Sequence, residues 1–127
     1  MSHSQLTDKT LCILLVDDEP SILFTLAILL EEEGYRVLSA DHGRDALDQL
    51  AEERPDLIIT DYMMPYLTGA ELISAVRAEP KYADIPVLIM SAALPAGIDP
   101  REIADAYLQK PADLDELLSV IKQLIQA

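Results

Sequence analysis

The chain has 127 residues, enough for one hydrophobic core. Half of them are hydrophobic and only 5% aromatic, so that core is aliphatic, and 9 basic against 23 acidic residues leave a net charge of −14. A surface that negative excludes nucleic acid and anionic membranes as direct partners, because both are held by Lys and Arg. The polar start, Met1 to Thr10, lacks the basic-then-apolar order of a signal peptide and reads as a mobile tail, followed by one domain over 11–127. The longest apolar stretch, Ile22 to Leu30, is far short of the roughly 20 residues of a membrane span. A single cysteine, Cys12, suits a reducing compartment, so a cytoplasmic location is expected.

Leu11–Val16 is the first of five short apolar runs; most are continuous enough for strands buried on both faces, and this one runs into Asp17-Asp18-Glu19-Pro20. Pro20 and Ser21 open a helix over Ser21–Glu33 that Gly34 closes. Its core stripe is Leu23, Leu26, Ala27 and Leu30, while Phe24 and Ile28, four apart, point roughly the other way. A second run, Tyr35–Ala40, precedes a helix from about Gly43 to Glu53, which stops before Pro55. The third run, Leu57–Thr60, ends in Asp61, and Thr68-Gly69-Ala70-Glu71 is a capping box that opens a helix to about Glu79. Val87–Met90 runs into Ser91. Across 91–105, Pro95, Gly97 and Pro100 leave room for one or two helical turns, starting near Asp99-Pro100. The fifth run, Ala106–Gln109, leads into Lys110-Pro111, and Asp113 with Glu116 caps a helix over Leu114–Gln126.

Strand and helix alternating five times predict a flavodoxin-like (βα)5 fold, a parallel sheet with helices on both faces. The expected strand order is 2-1-3-4-5, with a crevice at the carboxyl ends of strands 1 and 3. Parallel strands put Asp17, Asp18, Asp61, Ser91 and Lys110 on that one edge. Any one of them alone is commonly a helix cap or a solvated charge; together they make a site. Clustered carboxylates repel, and oxygen ligands without His or Cys point to a hard cation, Mg²⁺ or Ca²⁺. A shell of only two or three carboxylates suits Mg²⁺, which keeps waters and shares phosphate oxygens. A carboxylate between such an ion and a lysine is placed to attack phosphorus.

These motifs resemble the receiver domain of two-component response regulators, the chemotaxis-regulator-like family, over about Leu11 to Gln126. The residues that carry the resemblance are Leu15-Val16-Asp17-Asp18-Glu19-Pro20, Asp61-Tyr62-Met63-Met64-Pro65 with Gly69, Ser91-Ala92, and Tyr107-Leu108-Gln109-Lys110-Pro111. The resemblance implies that Asp61 accepts a phosphoryl group from a sensor histidine kinase or a histidine phosphotransfer protein. It implies direct Mg²⁺ ligands in Asp18, Asp61 and the Met63 backbone carbonyl, with Asp17 acting largely through water. Ser91 would hydrogen-bond the phosphoryl group, Lys110 would pair with it, and Tyr107 would be a switch that turns inward. Such a protein is a signalling switch that turns over no metabolite and changes its protein contacts.

Three features depart from the family pattern. Only 18 residues separate Ser91 from Lys110, and Ile103-Ala104-Asp105-Ala106 lacks the usual glycine, so the fourth helix is expected short or displaced. Met63 and Ala93, beside the phosphoryl position, cannot orient water by hydrogen bonding, which predicts a long-lived phosphoryl group. Phe24 and Ile28, with Pro111, are candidates for partner docking or a homodimer contact; scattered surface hydrophobes are the bland alternative. Two rivals are a receiver-like binding module that is never phosphorylated, and an enzyme on the same fold. Retention of Asp18, Asp61, Ser91 and Lys110 argues against the first. Against the second, Asp17-Asp18-Glu19 is the opposite of a phosphate-cradling loop for flavin, and Met63 stands where an Asp-x-Asp phosphatase has its second acid.

Overall fold

The computed structural model describes residues 10–126, so the expected tail lies outside the described residues except for Thr10. Five strands and five helices alternate: β1 (Cys12–Val16), α1 (Pro20–Glu32), β2 (Arg36–Ala40), α2 (Gly43–Glu52), β3 (Leu57–Thr60), α3 (Gly69–Ala78), β4 (Val87–Ser91), α4 (Pro100–Ile103), β5 (Ala106–Gln109) and α5 (Leu114–Gln126). All pairings are parallel, in the order β2-β1-β3-β4-β5. This is the predicted flavodoxin-like topology.

Alternation along the strands sorts the core into two layers, because successive side chains point to opposite faces. Leu14, Val16, Ile58 and Ile89 face Leu50 of α2 and Leu72 and Val76 of α3. Ile13, Leu15, Ile59 and Leu88 face Leu30 of α1 and Leu117 and Ile121 of α5. The central strands β1, β3 and β4 are buried throughout, as their continuous apolar runs predict. The edge strands β2 and β5 are only partly covered.

The predicted end of α1 and the predicted starts of α3 and α4 appear with their chemistry. At α3 the Thr68 hydroxyl accepts the Glu71 N–H at 3.2 Å, and the Glu71 carboxylate accepts the Thr68 N–H at 2.9 Å. Gly34 closes α1 at φ +97°, where a side chain would be strained. The fourth helix is a single turn, capped by the Asp99 carboxylate on the Arg101 N–H at 3.0 Å. Just before β5, Asp105 accepts the Val87 N–H and pairs with Arg77, both at 2.7 Å. Arg77 also donates to the Ala83 and Ile85 carbonyls. One guanidinium thus ties α3, the loop into β4 and the entry to β5 together.

Candidate functional site

The polar residues at the strand ends converge because the parallel ladder continues one residue past each strand. The Asp17 N–H donates to the Ala40 carbonyl at 3.1 Å, the Asp61 N–H to Val16 at 3.0 Å, and the Lys110 N–H to Ser91 at 3.0 Å. Main-chain bonding therefore fixes the starting points of three site side chains. The carboxylates of Asp17, Asp18 and Asp61 bring one oxygen each within 4.8 Å of the others.

Both acids at the centre are well supplied with donors. Asp61 Oδ1 accepts the Tyr62 N–H at 2.7 Å and the Ser91 hydroxyl at 2.9 Å, while Oδ2 accepts Lys110 Nζ at 3.1 Å. Asp17 Oδ1 accepts the Glu19 N–H at 2.9 Å, and its Oδ2 accepts Lys110 Nζ at 2.6 Å. Asp17 and Ser91 are buried, the Asp61 and Lys110 side chains are 13% and 14% exposed, and Asp18 is open to solvent. Burial by itself lowers the pKa of Lys110. Hydrogen bonds to Asp17 and Asp61, with the attraction of both charges, outweigh it and hold the ammonium above the ordinary 10.5.

The donor set fits a magnesium ion. It is all oxygen, has one carboxylate at the solvent boundary, and is too small to replace a full hydration shell. Met63, whose carbonyl is an expected direct ligand beside Asp18 and Asp61, lies two residues past Asp61 and is 55% exposed.

Tyr107 is half-buried against the α2–α3 layer, and its hydroxyl donates to the Ser91 carbonyl at 3.3 Å. The predicted switch residue is therefore already joined to the strand that carries Ser91. On α1, Phe24 is 69% and Ile28 40% exposed, away from the core stripe as predicted. A groove of about 640 Å³ runs between α1 and residues 110–112, lined by Thr25, Leu29, Met90, Ala92 and Pro111 among others. Pro111 is exposed and follows a cis peptide bond from Lys110. The N–H groups of Glu19 and Tyr62 are site donors that no residue type announces, since every non-proline residue carries one. His42 is partly exposed, and its Nδ1 accepts the Asp45 N–H at 3.1 Å to cap α2.

A doubly wound sheet with an acidic pocket and a lysine at its carboxyl edge has the architecture of a signalling receiver. The response regulator receiver domain model matches residues 13–122, and the chain belongs to that family, the receivers of two-component phosphorelays. It is 39% identical over 119 residues to the response regulator MprA of Mycolicibacterium vanbaalenii, covering 90% of this chain and 50% of that protein. The chain thus spans about half the length of the curated relatives it matches. Among solved structures, the chemotaxis protein CheY4 of Vibrio cholerae is 30% identical with a TM-score of 0.84, over 91% of this chain and 99% of that one. The response regulator TrrA of Thermotoga maritima, solved in complex with Mg(2+)-BeF, is 34% identical with a TM-score of 0.81, again over 91% and 99%. No helix among the described residues is long and apolar enough to cross a membrane.

Proposed function

We propose that Asp61 is the phosphoacceptor, taking its phosphoryl group from a phosphohistidine on a sensor histidine kinase or a histidine phosphotransfer protein. A carboxylate oxygen of Asp61 forms the new P–O bond as the P–N bond breaks, and the electron pair of that bond leaves with the imidazole. The product is an acyl phosphate. The observation that carries the reading is the surround of Asp61: Ser91 and Tyr62 hold one oxygen and Lys110 the other, within reach of two further acids. These donors orient the carboxylate before reaction, and the hydroxyl and ammonium can turn to the phosphoryl oxygens after it.

Asp18, Asp61 and the Met63 carbonyl would hold Mg²⁺, with Asp17 beside them, and TrrA, itself complexed with Mg(2+)-BeF, supports that choice. When bound, the ion supplies positive charge against the phosphoryl oxygens. As Ser91 turns to the phosphoryl group, its strand end shifts, and the bond from Tyr107 to the Ser91 carbonyl carries that shift to the β5 surface. Phe24, Ile28 and Pro111 are the proposed contacts for the histidine donor: the first two are exposed on α1, and Pro111 follows Lys110 in the wall of the groove. The downstream partner is a protein, read through the altered β4–β5 face, in a cytoplasmic setting. A homodimer is compatible with the same apolar residues. The chain itself turns over no metabolite.

The test is intact mass after incubation with Mg²⁺ and acetyl phosphate. A gain of one phosphoryl group, absent in Asp61→Asn and absent with EDTA, is the expected result. No gain by the parent chain, together with no binding of beryllofluoride, would replace this reading with the unphosphorylated binding module.

A further inference from the structure

Lys110 lies closer to the metal-side acid than to the proposed phosphoacceptor: 2.6 Å to Asp17 Oδ2 against 3.1 Å to Asp61 Oδ2. Resting on the proposed Mg²⁺ site, we infer that Lys110 is a tethered counter-cation that competes with Mg²⁺ for Asp17 and so weakens metal binding. Three acid groups within 4.8 Å would repel one another if left bare, and Asp17 is buried, where an unpaired charge is costly. Both oxygens of Asp17 already have protein donors, Glu19 N–H on one and Lys110 on the other. Lys110 must release Oδ2 before that oxygen can serve a metal or its water shell.

The release has a use. An ammonium freed from Asp17 remains tethered at the strand end next to Asp61, where a phosphoryl group would offer it new oxygens. Lysine suits this exchange, since it is a compact point charge on a flexible stem with donors that can re-aim. Metal loading and lysine availability are then coupled through one carboxylate.

Calorimetric titration with Mg²⁺ alone, on the full chain and on Lys110→Met, tests the inference without phosphorylation. Lys110→Met is expected to bind Mg²⁺ about tenfold more tightly, the loss of one charge-assisted hydrogen bond from the competing state. Melting in EDTA and in saturating Mg²⁺ supplies the second readout. The variant should lose stability in EDTA and recover more than the parent does on adding Mg²⁺, whereas a lysine that only packs would cost the same in both. Lys110→Arg, which keeps the charge, should bind Mg²⁺ within a few-fold of the parent and guards against a poorly folded Met variant. Equal or weaker Mg²⁺ binding by Lys110→Met, with the parent binding normally, overturns the competition alone. Absence of Mg²⁺ binding by both chains overturns the metal site with it.

Discussion

Gly69 is pressed against the backbone of Asp61: a Cβ at position 69 would stand 2.6 Å from the Asp61 carbonyl oxygen and 2.9 Å from the Tyr62 Cα. The Gly69 N–H also donates to the Tyr62 carbonyl at 2.7 Å, so the first residue of α3 is locked to the peptide that carries the proposed phosphoacceptor. Backbone atoms cannot swing aside as a flexible side chain would. Gly69→Ala should therefore cost about 1–3 kcal/mol of stability and slow phosphorylation by acetyl phosphate, because Asp61 is displaced from Ser91 and Lys110. Urea unfolding and the rate of mass gain check the two parts separately.

The exposed side chains beside Asp61 and Ser91 predict a persistent signal. Met63 is 55% exposed and carries no group able to align water, and Ala93 offers only its carbonyl, which lies 3.0 Å from Ser91 Oγ. The phosphoryl group on the parent chain should outlast seconds once donor is removed. Met63→Asn, which adds a hydrogen-bonding group, should shorten its lifetime by about tenfold or more. Intact mass followed over time after buffer exchange reads both values, and a half-life of seconds in the parent defeats the prediction.

Cys12 should be silent to alkylation in the folded protein. Burial pushes its thiol up from the ordinary 9.0, with Asp56 adding to that and the nearby Arg36 pulling the other way. Only 5% of the residue is exposed. A raised pKa means that the folded state favours the protonated thiol. That contribution to stability is fully present below 9.0 and is lost as pH rises through the higher folded value. Iodoacetamide at neutral pH should label Cys12 only in denaturant, and the Cys12→Ala variant should show a weaker loss of stability above pH 9.0 than the parent.

Phe24 and Ile28 separate docking from chemistry. Both point away from the core stripe of α1, so Phe24→Ser with Ile28→Ser should change stability by no more than about 0.5 kcal/mol per site. Phosphorylation by acetyl phosphate should be unaffected. Transfer from the cognate histidine donor should fall about tenfold or more if these side chains are buried in that encounter. Equal transfer by the double variant would reduce them to ordinary surface hydrophobes.

Much of this molecule is legible in local sequence because strands and helices answer to neighbouring residues. The apolar runs Leu11–Val16, Leu57–Thr60 and Val87–Met90 became the three strands buried on both faces, Cys12–Val16, Leu57–Thr60 and Val87–Ser91. Prolines at 95 and 100 and the left-handed Gly97 keep helix from forming before Pro100, which opens the single turn of α4. Once the strands are parallel, Asp17, Asp61, Ser91 and Lys110 must share one edge, so the membership of the candidate site follows from topology. The same reasoning is silent where a group's partner lies far along the chain. The stretch Ile103-Ala104-Asp105-Ala106 reads only as a departure, while the tertiary structure uses Asp105 to join Val87 and Arg77.

The sequence by itself determined which elements form and which side chains meet at the carboxyl edge, since both follow from short-range periodicity and a fixed direction of the strands. Only the tertiary structure decided how those side chains divide their bonds. Asp17 and Lys110 are separated by 93 positions in the chain, yet the ammonium sits nearer to Asp17 than to Asp61. Hydrogen-bond strength turns on tenths of an ångström, and that scale is set by the packing of strands from opposite ends of the chain.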